Sequence, residues 1–587
     1  MRIHFNMKRF SCDFETTTDL DDCRVWAYAC CEIGDPDNFL YGNSLDGFMD
    51  WCAGKDNYLC FFHNLKFDGS FIVEWLLKNG FEYVENKKDR KDNTFTTLIT
   101  DMGQWYQIIV WFKVDKHKVN KVTFQDSLKI LNMSVEAIAK GFDLPIRKLE
   151  LDYKAKREIG HELTPHEIDY IRNDVEIISR ALDVMFRLEL SKMTIASDAL
   201  TSFKSMCNNF KRLFPELPPE IDAEIRPSYK GGFTYVSDKY AGKEVGEGVV
   251  FDVNSLYPSR MMYELLPIGK PEPFEGKYQR DVNFPLYIQR IDCIFTLKPD
   301  KIPSIQIKHS LSFMQNEYLK SSNGEIVSLM LTKPDLELFF EQYDVEVISW
   351  SGGFKFQQAK GIFDEYINHW TESKIQAKKD NNKALYQISK LMLNSLYGKF
   401  GTGLSGKKKN PVLVDGKVQY INGDEEEKKG VYLPVASFIT AYARKYTIET
   451  SQMIRDWSER QHGVDAYAYS DTDSIHACLS KSDVELLCDI IDIDDYRLGA
   501  WKHESSFKRA KFIRQKCYIE QDYDDNINVT IAGFPKKLGH LINFDNFKIG
   551  FTTEGLTDEE IGPAGRKLRY KHVNGGVVLV DTDFTLK

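Results

Sequence analysis

Val249-Val250-Phe251-Asp252-Val253 is the most demanding stretch of this chain: an apolar strand that delivers a single acid and breaks into a turn before Pro258. A buried strand end is a rigid platform on which a carboxylate can hold a metal ion. Far downstream, Tyr469-Ser470-Asp471-Thr472-Asp473-Ser474-Ile475 offers two more acids in what reads as a tight hairpin. Aspartate favours turns for reasons of its own, so the hairpin gains meaning only when paired with the Asp252 strand.

A second set of acids lies near the N-terminus. In Asp13-Phe14-Glu15-Thr16 the two acids stand two residues apart, which on a strand turns both side chains to one face. Acids at alternate positions usually mark only the wet face of a strand. Here His63-Asn64-Leu65-Lys66-Phe67-Asp68 follows an apolar strand and ends in a third acid. Tyr170-Ile171-Arg172-Asn173-Asp174 then places a tyrosine and a fourth acid four apart, one above the other on a helix. Hard cations such as Mg²⁺ prefer oxygen ligands, and two of them about 3.5–4 Å apart can clamp the attacking and leaving oxygens of a phosphodiester. Asp13, Glu15, Asp68 and Asp174 are ligands of that type. Tyr170 could orient the attacking water and Lys148 could stabilise developing negative charge, although a core tyrosine and a surface lysine are individually commonplace.

Between the acids of the later set, Lys390, Asn394 and Tyr397 fall at i, i+4 and i+7 and form one helical stripe opposite an apolar face. The ordinary reading is the wet side of an amphipathic helix. A tyrosine ending that stripe just before Gly398, with a lysine a few turns back, also suits a nucleotide floor with a cation on the triphosphate.

With 587 residues the chain exceeds one core and suggests roughly three to five packed units. Its 42% hydrophobic and 28% charged residues exclude wholesale disorder. No run approaches the ~18 apolar residues that span a bilayer, and MRIHFNMKRF lacks the apolar stretch of a secretory signal, so a cytosolic protein is expected. Eleven scattered cysteines without CxxC spacing indicate neither a disulfide framework nor a zinc site. The net charge of −10 opposes binding a polyanion, but distribution matters more than total. Lys502, Lys508, Arg509, Lys511, Arg514 and Lys516 stand against Glu504 alone, and Lys407, Lys408 and Lys409 form another cluster. The bland account of such runs is a solvated helix face or loop.

No internal repeat is visible. Residues 1 to about 190 alternate short strands (58–62, 108–112) with helical patterns (71–78, 165–190), as in an α/β domain. After Leu217-Pro218-Pro219 come β-rich stretches at 231–235 and 249–253, a strand-rich segment over 267–356 that resembles an insertion, and a helical stretch over 362–397. That last stretch is broken at Lys379-Asp380-Asn381-Asn382, which predicts an antiparallel helix pair; strands dominate after Asp465.

DFET, HNLKFD and YIRND resemble the three exonuclease motifs of proofreading family B DNA polymerases. The resemblance implies that Thr16, Asn64, Phe67, Ser127, Leu128 and Tyr153 hold a frayed 3′ end, with Phe67 as a surface for an unstacked base. It likewise implies a palm in which Asp252 and Asp473 bridge two Mg²⁺ ions with Val253 beside them, Asp471 assists, and Mn²⁺ is an alternative ion. Tyr257 and Tyr397 would line the incoming nucleotide, Tyr257 excluding a ribose 2′-hydroxyl, with Lys390 and Asn394 on the same side.

Tyr229-Lys230-Gly231-Gly232-Phe233, Thr440-Ala441-Tyr442-Ala443-Arg444 and Lys516-Cys517-Tyr518 narrow the resemblance to the protein-primed polymerases of small linear-genome bacteriophages, of the phi-twenty-nine type. Tyr229, Gly231, Gly232, Thr440, Arg444, Lys516 and Tyr518 would then contact DNA. The likeness runs nearly end to end, through FPLYIQRIDCIF, PSIQIK and NEYLK to the C-terminal GGVVLVD.

The implied fold is α/β and α+β multidomain: a ribonuclease-H-like exonuclease domain over 1–192 followed by a right-hand polymerase. Its palm would occupy 193–263 and 431–521, its fingers 366–401 and its thumb 522–587. An insertion over 264–365 would dock the priming terminal protein, and a second over 402–430 would encircle DNA for processive strand displacement. The implied partners are template and primer DNA, deoxynucleoside triphosphates and the terminal protein. The implied state is a monomer or a heterodimer with that protein, in the cytoplasm of an infected bacterium with no membrane association.

Two departures stand out. Where the family has a second triphosphate lysine, one helical turn before Lys390, this chain has Tyr386, which leaves Lys383 or Lys378 as substitutes. The hairpin carries Ser470 where close relatives have cysteine. Two other readings stay open: a free-standing 3′→5′ exonuclease, which leaves the later acids without purpose, and a catalytically inactive replication scaffold.

Overall fold

The computed structural model describes residues 7–116, 118–153, 155–306, 318–563 and 565–587. The ends of PSIQIK and the start of NEYLK, within 307–317, lie outside the described residues. Among the described residues no helix is long and apolar enough to cross a membrane.

The N-terminal unit is built on an eight-stranded mixed sheet. Its central strand, Arg9–Thr16, pairs antiparallel with Val25–Glu32 and parallel with Tyr58–Phe62, which in turn runs parallel to Val119–Asp126. Asp13 and Glu15 lie across from Ala29 and Ala27, both fully buried. Small partners leave room beside the two acids, where a bulkier cross-strand pair would fill the face. Two helices complete the layer, Leu65–Lys78 and Pro165–Arg187. The second starts at a capping box: Thr164 Oγ1 accepts from the Glu167 N–H, Glu167 returns to the Thr164 N–H, and Pro165 follows. That start sets the register in which Tyr170 and Asp174 share a face.

A five-stranded antiparallel sheet forms the middle of the molecule, in the order Trp501–Phe507, Gly248–Val253, Ser474–Ala477, Tyr467–Asp471, Thr234–Val236. The register puts Asp252 across from Ser474, and Asp471 between Ser474 and Thr234, so the three acids gather at one end. Packed against this sheet is a thirty-residue helix, Leu433–His462. Its burial nearly all round removes the amphipathic stripe by which a surface helix is recognised in a sequence, and it was not anticipated.

The expected helix pair is present as Asp364–Lys379 and Lys383–Phe400, antiparallel neighbours joined through Asn381 at φ 52°. Ile388, Met392, Leu396 and Phe400 are buried, whereas Lys390 and Asn394 are exposed and Tyr397 is half-buried. Phe400 and Phe363 join Phe203 and Phe214 in an aromatic cluster, Phe203 stacking on Phe363 at 4.5 Å between centroids. This core ties the helix pair to the segment that follows the N-terminal unit.

Leu266–Phe274, Leu286–Leu297, Val327–Thr332 and Tyr343–Ala359 form a four-stranded sheet of their own, with Tyr343–Ala359 pairing to both Leu266–Phe274 and Leu286–Leu297. Residues 405–427 are a hairpin, Ser405–Val414 with Lys417–Glu427. Its flank docks on the N-terminal unit: Val418 and Tyr420 pack into that core, Trp105 and Tyr420 meet edge to face at 5.2 Å, and Tyr83 donates to Asn410 at 2.9 Å. A last hairpin, Lys567–Val573 with Gly576–Thr582, also lies on the N-terminal unit, and its His572 meets Tyr420 at 5.6 Å. Three segments distant in sequence thus touch in one place.

The basic run 502–516 is neither helix nor loop. It covers Trp501–Phe507 and Arg509–Arg514, and many of its charges are answered: Lys508 by Asp525, Arg509 by Glu244, Lys502 by Glu504 and Lys516 by Asp471. In the other cluster Lys408 pairs with Glu426 at 2.5 Å.

Candidate active sites

The N-terminal site gathers the side chains of three elements. Asp13 and Glu15 come from the central strand; Asp68 lies in the first turn of Leu65–Lys78, where its Oδ1 accepts from the Phe14 N–H at 3.2 Å; Asp174 comes from Pro165–Arg187. Asn64 turns the chain into that helix with a left-handed φ of 83°, a conformation asparagine tolerates better than most residues. Asp126 is the hub that holds this turn to the next loop, its Oδ1 accepting from the N–H of Asn64 at 3.0 Å and of Leu128 at 2.9 Å.

Burial, then the neighbouring charge of Asp174, pushes Asp13 up to about 7. Burial followed by the Asp13 charge holds Glu15 and Asp68 well above the carboxylate range. Asp174 is raised by burial against the opposing pull of Lys148. Burial would lower Lys148 itself, but its contact with Asp174 wins and raises it. The Asp174 Oδ1 is buried and finds no hydrogen-bond partner among the described residues. Four carboxylates, three of them buried and Asp13 half-buried, offset by one ammonium are short of positive charge, which suits divalent cations. Among the described residues no group of three or more His, Cys, Asp or Glu is already drawn into a closed metal cage.

Around these acids Tyr170 is 1% exposed and meets the exposed Tyr153 through their hydroxyls at 2.5 Å. Phe67 is half-buried beside Phe71, and Thr16 ends the central strand just past an irregularity in its pairing. Ser127 is fully buried and donates to the Phe62 carbonyl at 3.1 Å, so only the half-buried Leu128 of that pair faces outward.

The second site sits on the central sheet. Asp252 stands at the end of Gly248–Val253, and the Val253 N–H donates to the Asp473 carbonyl at 2.8 Å, locking strand to hairpin. The hairpin turns at Thr472 with φ 62°, a strained value for a β-branched residue. Its N–H donates to the Phe233 carbonyl at 2.6 Å, its carbonyl accepts from Thr447 at 2.8 Å, and a Cβ on Gly232 would come within 2.7 Å of its side chain. The Tyr229–Phe233 motif therefore needs glycine at 232 to let the hairpin close.

Burial, then the Asp473 charge, raises Asp252 to about 7; Lys502 and Lys390 act against that rise, which puts Lys390 within electrostatic reach. Asp473 is raised by burial and by Asp471. Asp471 is in a different position: Lys516 Nζ holds both its oxygens at 2.7 and 2.8 Å, and Thr234 donates at 3.2 Å. Among the described residues neither Asp252 nor Asp473 makes such an ion pair. Tyr257 and Tyr397 stack at 4.0 Å between centroids, 21° from parallel, with Tyr257 next to the Ser255 turn at φ 58°. Tyr518 lies against Tyr469 and His476, each at 5.2 Å.

Three expected site residues are elsewhere engaged. Arg444 is 2% exposed; it pairs with Asp335 and donates to the carbonyls of Lys230 and Gly231, each at 2.9 Å, so it shapes the glycine loop and cannot itself reach DNA. Thr440 is buried and spends its hydroxyl on the Ala436 and Ser437 carbonyls of its own helix. Lys383 is turned to Asp143 of the N-terminal unit at 2.9 Å, away from the nucleotide stripe.

One further lysine stands near this stripe. Lys374, on the partner helix, lies over the Tyr386 ring at 6.0 Å, and burial followed by the charges of Lys390 and Lys378 lowers its pKa. The three like charges raise the local positive potential. Only the antiparallel pairing of the two helices brings Lys374 to Lys390, so no spacing within either helix could reveal it.

Residues 50–486 match the family described as DNA polymerase type B, organellar and viral. The chain is 46% identical to the DNA polymerase of Bacillus phage B103, over 99% of its own length and 100% of that protein. It is 44% identical to the DNA polymerase of Bacillus phage phi29, with both chains covered in full. The solved phi29 DNA polymerase complexed with primer-template DNA and incoming nucleotide substrates shares its fold, with a TM-score of 0.89 and 42% identity over 99% of this chain and 100% of that one.

Proposed function

The chain belongs to the type B DNA polymerases of organelles and viruses and is a DNA polymerase of the phage group, and on that footing we propose that it copies a linear viral genome from a protein primer, displaces the strand ahead of it and edits its product at the N-terminal carboxylates. The observation that carries the reading is the separation of two carboxylate sets, the first mostly buried and the second half-buried, each with its own lysine: Asp13, Glu15, Asp68 and Asp174 with Lys148, and Asp252, Asp473 and Asp471 with Lys516.

At the central sheet the Tyr257–Tyr397 stack forms the floor under the incoming nucleotide, and Lys390 and Lys374 take its triphosphate. Lys516 keeps Asp471 occupied, so that Asp252 and Asp473 are the acids free to bind cations. Two divalent ions per site, Mg²⁺ or Mn²⁺, would supply charge neutralisation and lower the pKa of the attacking hydroxyl or water. At the N-terminal site Tyr170, tied to Tyr153, orients water, while Lys148 offsets charge on the phosphate. Asn64, Phe67 and Leu128 form the wall against which a frayed 3′ end lies.

In this reading the N-terminal unit is the exonuclease, the central sheet the palm, the helix pair the fingers and residues 522–587 the thumb. The sheet of residues 266–359 receives the terminal protein. The hairpin at 405–427, touching both the N-terminal unit and the last hairpin, closes a ring around DNA. Primer-template DNA and nucleotides are the partners of the phi29 relative's complex and are assigned to this chain by that likeness. It would act as a monomer or with its terminal protein, in the cytoplasm of the infected cell.

The test is a 5′-labelled primer on a template with Mg²⁺, with and without nucleotides. Extension with nucleotides and trimming without them are expected. Trimming alone would reduce the protein to an exonuclease, and neither activity would make it a scaffold.

A further inference from the structure

The last hairpin brings Tyr570 into the N-terminal site. Its hydroxyl accepts from Asn64 Nδ2 at 2.9 Å, its ring lies 6.2 Å from that of Phe67, and the Lys66 ammonium stands over it at 5.1 Å. All three neighbours belong to the HNLKFD motif, which ends in Asp68. Burial, and the carboxylates of Asp68 and Asp126 acting against the Asn64 bond, hold the phenol above its ordinary pKa, as expected for a group that shares the site with those acids.

This placement is anchored. Val573, Val577 and Val578 are buried in the N-terminal core. At the turn, the Gly575 N–H donates to Glu74 Oε1 at 2.5 Å and Lys78 donates to Asn574 at 2.5 Å. Gly575 has φ 104°, and a Cβ there would lie 1.9 Å from the Cys23 carbonyl oxygen, so the approach is possible for glycine alone. Glu74 and Lys78 lie on the helix that also carries Phe67 and Asp68. The hairpin is thus fixed to the element that forms the wall of the site.

We propose that Tyr570 is a substrate-positioning residue of the exonuclease: it extends the aromatic surface begun by Phe67 along the unpaired 3′ end and fixes the Asn64 amide by hydrogen bond. The inference rests on the exonuclease reading of the N-terminal acids. An unstacked base gains from a flat aromatic face whatever its identity, which suits a site that must accept any terminal nucleotide. Because the residue comes from the C-terminal end of the chain, the exonuclease site is complete only in the whole protein.

The experiment uses the full chain and a 5′-labelled single strand with 2-aminopurine at its 3′ end. Degradation is followed in Mg²⁺, and base stacking by fluorescence in Ca²⁺. Tyr570→Ala is expected to raise KM about tenfold, the effect of losing one base–aromatic stack, with kcat within about twofold and brighter 2-aminopurine. Tyr570→Phe, which keeps the ring and loses the hydroxyl, should raise KM about threefold and leave the fluorescence quenched. Thermal denaturation of each variant checks that the hairpin stays docked. If Tyr570→Ala loosens it, Tyr570→Leu, which keeps apolar bulk without a flat ring, decides in its place. Wild-type KM and fluorescence in the deciding variant would overturn the inference and leave the exonuclease reading standing; a wild-type chain that degrades no single strand would overturn both.

Discussion

Arg444 and Asp335 form a doubly hydrogen-bonded ion pair, Nη2 to Oδ1 at 2.8 Å and to Oδ2 at 2.7 Å, with the arginine 2% exposed. The same guanidinium holds the Lys230 and Gly231 carbonyls, so one side chain from the long helix joins the helix Lys333–Gln342, which carries Asp335, to the loop that packs under Thr472. Arg444→Ala removes the cation from a carboxylate that then keeps the Thr332 hydroxyl as a donor at 2.8 Å, and removes a donor from two carbonyls, at a cost of about 3–5 kcal/mol. The melting temperature should fall by several degrees, and Arg444→Lys should not restore it because an ammonium cannot match the fork. Calorimetry showing an unchanged transition in Arg444→Ala would remove this structural role.

The two carboxylate sites should separate cleanly. Asp252→Ala or Asp473→Ala is expected to reduce nucleotide addition on the order of a thousandfold or more while trimming of single strands persists. Asp13→Ala with Glu15→Ala should do the reverse. Synthesis retained in either palm variant, or trimming retained in the double variant, would show the corresponding site to be misplaced.

Tyr257 lies flat on Tyr397 at 4.0 Å, so its ring has little freedom to retreat from a sugar above it. Tyr257→Val removes that wall. Discrimination against ribonucleotides, measured as the ratio of kcat/KM for the two sugars, should drop by about ten- to a hundredfold. An unchanged ratio would place the sugar elsewhere.

For the triphosphate, Lys374 and Lys383 make opposite predictions. Lys374→Ala should raise the nucleotide KM about tenfold or more, as expected for losing a charge-assisted contact. Lys383→Ala should leave it within about twofold, since Lys383 is held by Asp143. The sign of the pH effect follows from the lowered pKa of Lys374, caused first by burial and then by Lys390 and Lys378. Its charged form binds the anion, so nucleotide affinity in the wild type should begin to fall at a lower alkaline pH than an ordinary lysine would dictate, and Lys374→Arg should abolish that fall.

Motifs that lie on one strand or one helix were legible in the sequence: Asp13 with Glu15, Tyr170 with Asp174, and the Lys390–Asn394–Tyr397 stripe depend on a single period. The break at 379–382 likewise marked the helix pair. What escaped depends on contacts between distant segments. Lys374 meets Lys390 only through helix pairing, and Tyr570 meets Asn64 only because the last hairpin folds back onto the N-terminal unit. Burial misled in the other direction: Arg444 and Thr440 lie on a helix enclosed on most sides, where a polar residue has a structural partner and a sequence shows only its polarity. The pairing of the basic run at 502–516 is hidden from the sequence for a related reason, its answering acids Glu244 and Asp525 lying on other segments.

The hairpin at 405–427 separates two ways of holding DNA. Val418 is buried and Tyr420 half-buried against the N-terminal unit, so deleting residues 402–430 would bare apolar surface there as well as open any ring. Tyr420→Ala is the cleaner probe: it removes the contacts to Trp105 at 5.2 Å and His572 at 5.6 Å that join three segments, and it leaves the lysines in place. Lys407→Ala with Lys409→Ala does the opposite, removing charge and leaving the junction shut. A ring works by preventing dissociation between additions and by admitting one strand, so the displaced strand must unpair as the enzyme advances. Electrostatic contacts work by releasing about one counterion per phosphate neutralised, which makes their loss strongly salt-dependent. Product length on a nicked circular template, with trap DNA and across a salt series, distinguishes the two. Tyr420→Ala should give short products at every salt concentration yet extend a primed single strand over short distances, because chemistry at Asp252 and Asp473 is untouched. The double lysine variant should recover wild-type lengths at low salt. Wild-type lengths from Tyr420→Ala would refute the ring, and its full recovery at low salt would reduce the hairpin to a basic patch.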